Sequence, residues 1–155
     1  MTILGIDPGI GRCGYGVVDK EGQKLSVIAF GCIETPKIDD QGLRLQMIKT
    51  DLENIIRQYK PEVIGVEKLF FQKNVKTATT VGEARGVILL LASESGAKVI
   101  EIGPGQVKQA LTGYGSADKK QIQQMVKILF KLKEIPQPDD AADALAVAYA
   151  AAVSQ

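Results

Sequence analysis

The chain has 155 residues, 45% of them hydrophobic and 24% charged, which fits one globular domain spanning residues 1–155. Histidine is absent, which excludes Ser-His-Asp and Cys-His catalysis and any metal site built on imidazole. No apolar run approaches the roughly 20 residues that span a bilayer, and Met1 leads directly into "TILGID" without a signal-peptide pattern. We therefore expect a cytoplasmic protein with no membrane role.

Charge is distributed unevenly along the chain, although the net charge is only +1. Residues 1–67 hold 8 basic and 10 acidic side chains, residues 68–133 hold 11 and 4, and residues 134–155 hold 4 acids and no base. A basic middle flanked by clustered acids favours a protein that grips a phosphate backbone and holds a cation. Solvated lysines on helix faces are the alternative interpretation of the basic segment.

The first part of the chain predicts three consecutive antiparallel strands. "TILGID" (Thr2–Asp7) is stopped by the turn "PGIG", and "CGYGVVD" and "KLSVIAFGCIE" follow, separated by "KEGQ". Cys13 and Cys32 fall in two adjacent predicted strands, where we expect reduced core thiols. Apolar residues then recur at helical spacing over 41–60, which predicts an amphipathic helix.

Strands and helices alternate in the remainder of the chain. "EVIGVE" (62–67) and "AKVIEI" (97–102) predict buried strands. Helices are predicted over 77–95, 107–111 and 118–132, and in the alanine-rich segment after Pro136 and Pro138. The order β-β-β-α-β-α-β-α-α-α predicts an α/β fold with a five-stranded mixed sheet and helices on both faces.

Acidic residues close two of the predicted strands. Asp7 ends the first strand and Glu67 ends the fourth, and strand ends are where α/β proteins usually assemble their sites. An acid at the end of an apolar strand is costly to bury without a partner. A solvated turn residue is the alternative for either acid taken alone.

Three further acids begin the last helix. Asp143 shares a helix face with both Asp139 and Asp140. Capping of the helix explains Asp139 well and Asp143 poorly. Carboxylates that converge without histidine or lysine repel one another, and a hard divalent cation is the natural remedy. Two Mg²⁺ ions about 3.5–4 Å apart would suit phosphodiester cleavage.

Five segments in register resemble the RuvC Holliday-junction resolvases, which have ribonuclease H-like folds. They are "GIDPGIGRCGYGVV", "GVEKLFFQKN", "EARGV", "GPGQVKQALTGYGSADKKQ" and "DDAADALAVA". The resemblance implies that Asp7, Glu67, Asp140 and Asp143 are the catalytic metal ligands. They would hold two Mg²⁺ ions, which Mn²⁺ could replace. Asp140 is chosen over Asp139 because the family pattern has a three-residue spacing to Asp143.

The resemblance also implies a substrate and partners. The protein would be a homodimer that cuts two strands of a four-way DNA junction symmetrically and leaves 5′-phosphate and 3′-hydroxyl ends. A two-fold dimer presents two equivalent sites to a substrate of roughly two-fold symmetry. The RuvA–RuvB branch-migration complex is the implied partner, and the bacterial cytoplasm the implied location.

The basic segment supplies the expected DNA contacts. The family pattern places Phe70 at the junction, where a phenylalanine can stack on or wedge between bases, and leaves Phe71 to packing or dimerisation. Lys108 and Lys119 match basic positions near the scissile phosphate. The further expected phosphate contacts are Lys73, Lys76, Arg85 and Lys120. The alternatives are that both rings fill a core or a dimer interface and that these basic residues are merely solvated.

Three other functions remain open on the residues alone. The "DPGIG…GYGVVD" hairpin is similar to the first phosphate loop of actin-like ATPases, but no second copy of such a loop is present. A DNA-binding subunit with a decayed site would not need all four acids. A ribonuclease H that cuts RNA–DNA hybrids is the nearest rival, although it would not require "EKLFFQKN" or "KQALTGYGSADKK".

Overall fold

The structure, a computed structural model, describes residues 1–69 and 74–155, which form a mixed sheet covered by helices on both faces. The strands are β1 (Thr2–Asp7), β2 (Arg12–Glu21), β3 (Lys24–Glu34), β4 (Val63–Glu67) and β5 (Lys98–Ile102). The helices are α1 (Gln41–Tyr59), α2 (Val75–Glu94), α3 (Pro104–Thr112), α4 (Lys119–Leu129) and α5 (Asp139–Val153). The predicted α/β class, five-stranded mixed sheet and element order are confirmed.

The strand order β3-β2-β1-β4-β5 brings two acidic strand ends together. β1 pairs antiparallel with β2, whereas β4 is parallel to β1 and β5 is parallel to β4. Ile6 lies opposite Val66, so the next residues along these strands, Asp7 and Glu67, emerge side by side. We call the side of the sheet where β1, β4 and β5 end the carboxyl edge.

Alternate residues of the strands pack into two separate hydrophobic cores. Leu4 and Ile6 of β1 are fully buried against α1 and α2 on one face of the sheet. Ile3 belongs to the other core, which α3, α4 and α5 complete. This arrangement follows from the two-residue period of a strand, which sends neighbouring side chains to opposite faces.

Helix α5 lies unusually close to the sheet because glycines face small residues along it. A Cβ added to Gly5 would lie 2.3 Å from the backbone oxygen of Ala144, and one added to Gly14 would lie 1.9 Å from that of Asp140. Gly14 is also the residue of β2 that pairs with Asp7. The missing side chain of Gly14 therefore lets the first turn of α5 pack directly beside the end of β1.

Several predicted helix ends are wrong: α2 is Val75–Glu94 and not 77–95, and α3 is Pro104–Thr112 and not 107–111. Helix α4 ends at Leu129 and not at Leu132, because Lys131 adopts a left-handed conformation with φ of 53°. Asp139 does not cap α5: Pro138 is the capping residue, no side chain bonds the first amides, and Asp139 is the first helical residue. Its carboxylate still complements the positive end of the helix dipole.

Cys13 and Cys32 lie on paired strands without a disulfide between them, and of the two predicted core thiols Cys13 is buried in the core whereas Cys32 is only half-buried. Burial raises the pKa of the Cys13 thiol to about 12. Among the residues that the structure describes, no helix is long and apolar enough to cross a membrane.

Candidate active site

Asp7 and Glu67 form a coupled pair at the carboxyl edge. Their side chains share a hydrogen bond in which the Asp7 carboxyl donates and Glu67 accepts. Burial, and then the negative charge of Glu67, raises the pKa of Asp7 to about 9. Burial also raises the pKa of Glu67, although the hydrogen bond from Asp7 and the charge of Lys108 oppose that rise. The pair therefore holds a proton where two exposed carboxylates would both be ionised.

Helix α5 brings Asp140 and Asp143 to this pair. The charges of both residues contribute to the raised pKa of Asp7, and Asp143 acts in the same direction on Glu67. Burial raises the pKa of Asp143 itself, while Lys119 lowers it. The structure thus brings together the four acids that were predicted from the sequence as metal ligands. Two of them lie at strand ends and two at the start of a helix.

Two basic side chains balance the acids of α5. The Lys119 Nζ atom lies 3.4 Å from carboxylate oxygens of both Asp139 and Asp143. Burial lowers the pKa of Lys119, but these two carboxylates outweigh it and raise the pKa overall. The Arg12 guanidinium lies 3.8 Å from Asp140 and 3.7 Å from Glu34. Each helix acid near the Asp7–Glu67 pair therefore has a cationic neighbour.

A cleft of about 210 Å³ opens beside these groups. Four polar side chains line it, namely Glu67, Lys108, Lys119 and Asp143, with an apolar floor from α3, α4 and α5. Two acids and two lysines that face one cleft can accept a phosphodiester whose charge the lysines balance and whose reacting atoms lie near the carboxylates.

Carboxylate oxygens dominate the site. In the described ranges 1–69 and 74–155, no three His, Cys, Asp or Glu side chains already stand in an arrangement that could hold a metal ion. Asp140 and Asp143 instead face Arg12 and Lys119. The donor set nevertheless fits a hard divalent cation, because the carboxylates raise one another's pKa and a cation would relieve that repulsion.

A short hydrogen-bond chain fixes the loop that follows Asp7. The Thr35 hydroxyl donates to the Ile10 carbonyl and accepts from Arg44 Nε at 2.9 Å. The Thr35 amide donates to the Gly11 carbonyl at 3.1 Å. Thr35 is buried, with only 7% of its surface exposed, and both its hydroxyl and its amide donate hydrogen bonds to this loop.

The remaining expected DNA contacts differ in their surroundings. Lys76 is exposed in the first turn of α2, and Lys120 lines a separate hollow beside Tyr114. Arg85 is mostly buried and bonds to protein groups at the ends of β4 and β5. Phe70, Phe71 and Lys73 lie outside the described residues. Every one of these DNA contacts stays a prediction.

Sequence reasoning missed several residues that shape the site, namely Arg12, Thr35, Arg44, Glu101 and the pairing of Asp139 with Lys119. For Arg12 a signal existed, since its place after the "PGIG" turn returns it toward the end of β1. For Thr35 and Arg44 none existed, because their contacts depend on how α1 packs against the sheet.

Comparison with known proteins identifies relatives over nearly the full chain. A model of the family described as "Crossover junction endodeoxyribonuclease RuvC" matches residues 3–151. A protein of that description from Heliobacterium modesticaldum is 57% identical over 154 residues, covering 99% of this chain and 95% of the relative.

Solved structures agree with the sequence relatives. The Thermus thermophilus RuvC structure has a TM-score of 0.89 at 38% identity, covering 97% of this chain and 92% of that one. A structure of T. thermophilus RuvC in complex with a Holliday junction substrate has a TM-score of 0.87 at 36% identity, with the same coverage of both chains.

Proposed function

Because the chain belongs to the RuvC family of crossover junction endodeoxyribonucleases, we propose that it resolves Holliday junctions by Mg²⁺-dependent hydrolysis. Membership confirms the resemblance first seen in its five sequence segments. The proposed cuts are paired and symmetric, one in each of two strands, and they leave 5′-phosphate and 3′-hydroxyl ends suited to ligation.

One observation carries the proposal for the chemistry. Asp7 and Glu67 are hydrogen-bonded carboxyl groups at adjacent strand ends, and α5 adds the charges of Asp140 and Asp143 to the same point. Such a concentration of negative charge destabilises an apolar strand end unless it serves a ligand. Burial, and then the repulsion of the neighbouring carboxylates, raises the pKa of Asp7 to about 9, and a bound cation would offset both effects.

The four acids Asp7, Glu67, Asp140 and Asp143 would hold Mg²⁺, or Mn²⁺ in its place. When bound, two such ions supply activation of water and stabilisation of the leaving oxygen in phosphodiester hydrolysis. For this, Asp7 must give up the proton that it shares with Glu67. Asp139 stays close enough to Lys119 to orient that lysine without being one of the four ligands.

Lys108 and Lys119 face the cleft from α3 and α4 and are suited to contact the scissile phosphate. A cation held there stabilises negative charge that develops on the phosphate oxygens in the transition state. Lys119 is already engaged with Asp139 and Asp143, so its ammonium can shift between these carboxylates and a phosphate. The lysines therefore contribute to both charge balance and substrate position.

The proposal extends to the substrate, the oligomeric state and the partners, and a solved relative supports the first of these. The complex of T. thermophilus RuvC with a Holliday junction supports a four-way junction as the substrate here. We propose a homodimer, which places two equivalent sites on that substrate. Cooperation with RuvA–RuvB in the bacterial cytoplasm belongs to the same proposal.

The test is cleavage of a mobile synthetic four-way junction, compared with linear duplex and an RNA–DNA hybrid. Each substrate is incubated with Mg²⁺, Mn²⁺ or EDTA, and the products are treated with ligase. We expect paired, ligatable nicks in the junction alone, abolished by EDTA. Cleavage restricted to the hybrid would identify a ribonuclease H, and junction binding without any cleavage would identify a non-catalytic DNA-binding protein.

A further inference from the structure

Arg85 joins three elements at the carboxyl edge. It lies on α2, its Nε donates to the backbone carbonyl of Glu67 at 3.1 Å, and its Nη2 pairs with the carboxylate of Glu101 on β5. The Arg85 side chain is only 17% exposed. We call Arg85, the Glu101 carboxylate and the Glu67 carbonyl the Arg85 bridge.

The bridge acts where β4 loses its pairing with β1 but keeps its pairing with β5. Glu67 is the last residue of β4, and beyond it the Lys68 amide still donates to the Ile102 carbonyl at 2.8 Å. The parallel register with β1 is recorded only as far as Val66. The Glu67 carbonyl therefore finds its partner in the Arg85 side chain, as a backbone acceptor near a core requires.

These contacts leave Arg85 poorly suited to DNA. Two of its donor groups are committed to Glu67 and Glu101, and the nearby carboxylate repels a phosphate. Lys76, nine residues closer to the start of α2, is by contrast exposed. A buried guanidinium with fixed protein partners serves geometry better than it serves a polyanion.

We propose that Arg85 is a positioning residue for Glu67. Glu101 orients the guanidinium, the guanidinium fixes the end of β4, and the fixed backbone aims the Glu67 carboxylate at Asp7 and the cleft. The inference rests on the proposed function, since it assigns the aim of Glu67 to metal binding and cleavage. Catalytic groups need this support because small displacements of a ligand weaken a site severely.

Arginine is required at this position by its shape as well as its charge. The planar guanidinium offers several donors in a rigid fork and can bond the Glu67 carbonyl and the Glu101 carboxylate together. A lysine ammonium keeps the charge but is a single point, so it cannot reproduce both bonds with the same geometry. Arg85→Lys therefore separates positioning from charge.

The decisive experiment compares Arg85→Lys, Arg85→Gln and Glu101→Ala with the unaltered protein. If Arg85 positions Glu67, the cleavage rate at a saturating concentration of junction should fall about tenfold or more in the two Arg85 variants. The fall should be smaller for Glu101→Ala. The junction Kd should stay within about twofold, and the slope of log Kd against log salt should not change.

A second measurement does not depend on cleavage. The rise of the unfolding midpoint with Mg²⁺ concentration reports ion binding, and its half-saturation should move to about tenfold higher Mg²⁺ in the Arg85 variants. If the unaltered protein gains stability from Mg²⁺ but never cuts a junction, the proposed function fails while this measurement still tests the Arg85 bridge.

Controls distinguish a DNA contact from positioning. Arg57→Gln removes an exposed arginine from the last turn of α1 and should leave the cleavage rate, Kd and Mg²⁺ half-saturation unchanged. If Arg85 contacts a phosphate, Arg85→Lys should be nearly silent, and Arg85→Gln should weaken binding and lower the salt slope by about 0.9. That pattern, or faster cleavage in Glu101→Ala, would overturn the proposal.

Should the Arg85 variants fail to fold, Glu101→Ala carries the test, because that side chain is 43% exposed.

Discussion

At the scale of single residues, Asp7 is the group on which the electrostatics of the site converge. Burial, Glu67 and both helix acids act together to raise its pKa to about 9. A carboxyl group with a raised pKa binds its proton more tightly in the folded chain than in the unfolded one. The contribution of Asp7 to the free energy of unfolding is therefore most favourable at a pH below the ordinary carboxyl pKa, and it is lost as the pH rises toward 9.

This coupling predicts a pH dependence of stability. Between pH 5 and pH 8 the free energy of unfolding should fall with a slope of up to about 1.4 kcal/mol per pH unit for the one retained proton. Asp7→Asn should flatten that slope and make the variant more stable than the unaltered protein at pH 8. Urea unfolding at several pH values measures the difference. Equal slopes for both proteins would contradict the shared proton, and Asp51→Asn, an exposed acid of α1, is the matched control.

The same substitution separates chemistry from binding. Asp7→Asn should reduce junction cleavage by at least about a thousandfold, because it removes one of the four proposed carboxylate ligands of the cation. Junction affinity should be retained, since phosphate contacts from the basic segment supply most of it. Gel-shift and cleavage assays on one substrate measure both quantities, and cleavage at the normal rate would refute the assignment of Asp7.

Thr35 provides a test of the loop that follows Asp7. Thr35→Val keeps the size of the side chain but leaves Arg44 Nε and the Ile10 carbonyl without their shared partner. The loss should be about 1–3 kcal/mol of unfolding free energy, the usual cost of buried unpaired polar groups. Thr35→Ser keeps the hydroxyl and should lose less than half as much in the same urea titration.

At the scale of elements, α5 has two functions that depend on each other. Its alanines fill one core, and its first turn carries Asp140 and Asp143 to the carboxyl edge. The distance between helix and sheet is set by glycines, above all Gly14 against the Asp140 backbone. The position of the two acids is therefore determined by Gly14, a residue of the neighbouring strand β2 that has no side chain.

Gly14→Ala should accordingly disable the site without touching an acid. The added Cβ would need the space of the Asp140 carbonyl, 1.9 Å away, so the helix end must shift. We expect a loss of about 1–3 kcal/mol from overpacking and a large fall in cleavage. Gly105→Ala on α3 is the control, because a Cβ there meets nothing within 4 Å. Normal cleavage by a folded Gly14→Ala protein would show that the helix position is not critical.

Elements with strong periodicity could be predicted from the sequence, and contacts between elements could not. The run "TILGID" predicts β1 to the residue, because an apolar stretch ended by proline and glycine has few alternatives. The end of α4 was missed because Lys131 adopts positive φ without a glycine to signal it. The roles of Arg85 and Thr35 depend on which helix packs on which strand end, and no local pattern encodes that.

At the scale of the whole molecule, acids and bases are concentrated around one edge. The acids of β1, β4 and α5 meet the lysines of α3 and α4 at the cleft, and the segment 68–133 carries 11 basic against 4 acidic residues. Under the proposed function, the basic residues of this segment attract a duplex arm that approaches the edge, whereas the carboxylates repel it locally. Attraction by the basic residues acts over longer distances than repulsion by the carboxylates, so attraction dominates the association with DNA.

Salt dependence tests that distribution. Lys76→Gln, at the exposed start of α2, should lower the slope of log Kd against log salt by about 0.9 and weaken junction binding uniformly across sequences. Lys24→Gln, at the start of β3 and away from the carboxyl edge, should do neither. Fluorescence anisotropy between 50 and 200 mM salt gives both slopes. Equal changes in the two variants would mean that binding follows net charge alone.

The placement of two acids on α5 also bears on how the protein is made. A ribosome releases β1 and β4 long before α5, so a growing chain displays Asp7 and Glu67 while Asp140 and Asp143 do not yet exist. The sheet face that α5 covers is incomplete for the same interval. Under the proposed function, a nascent chain lacks two of the four acids needed for cleavage, and the ability to cut DNA arises in the same event that closes the core.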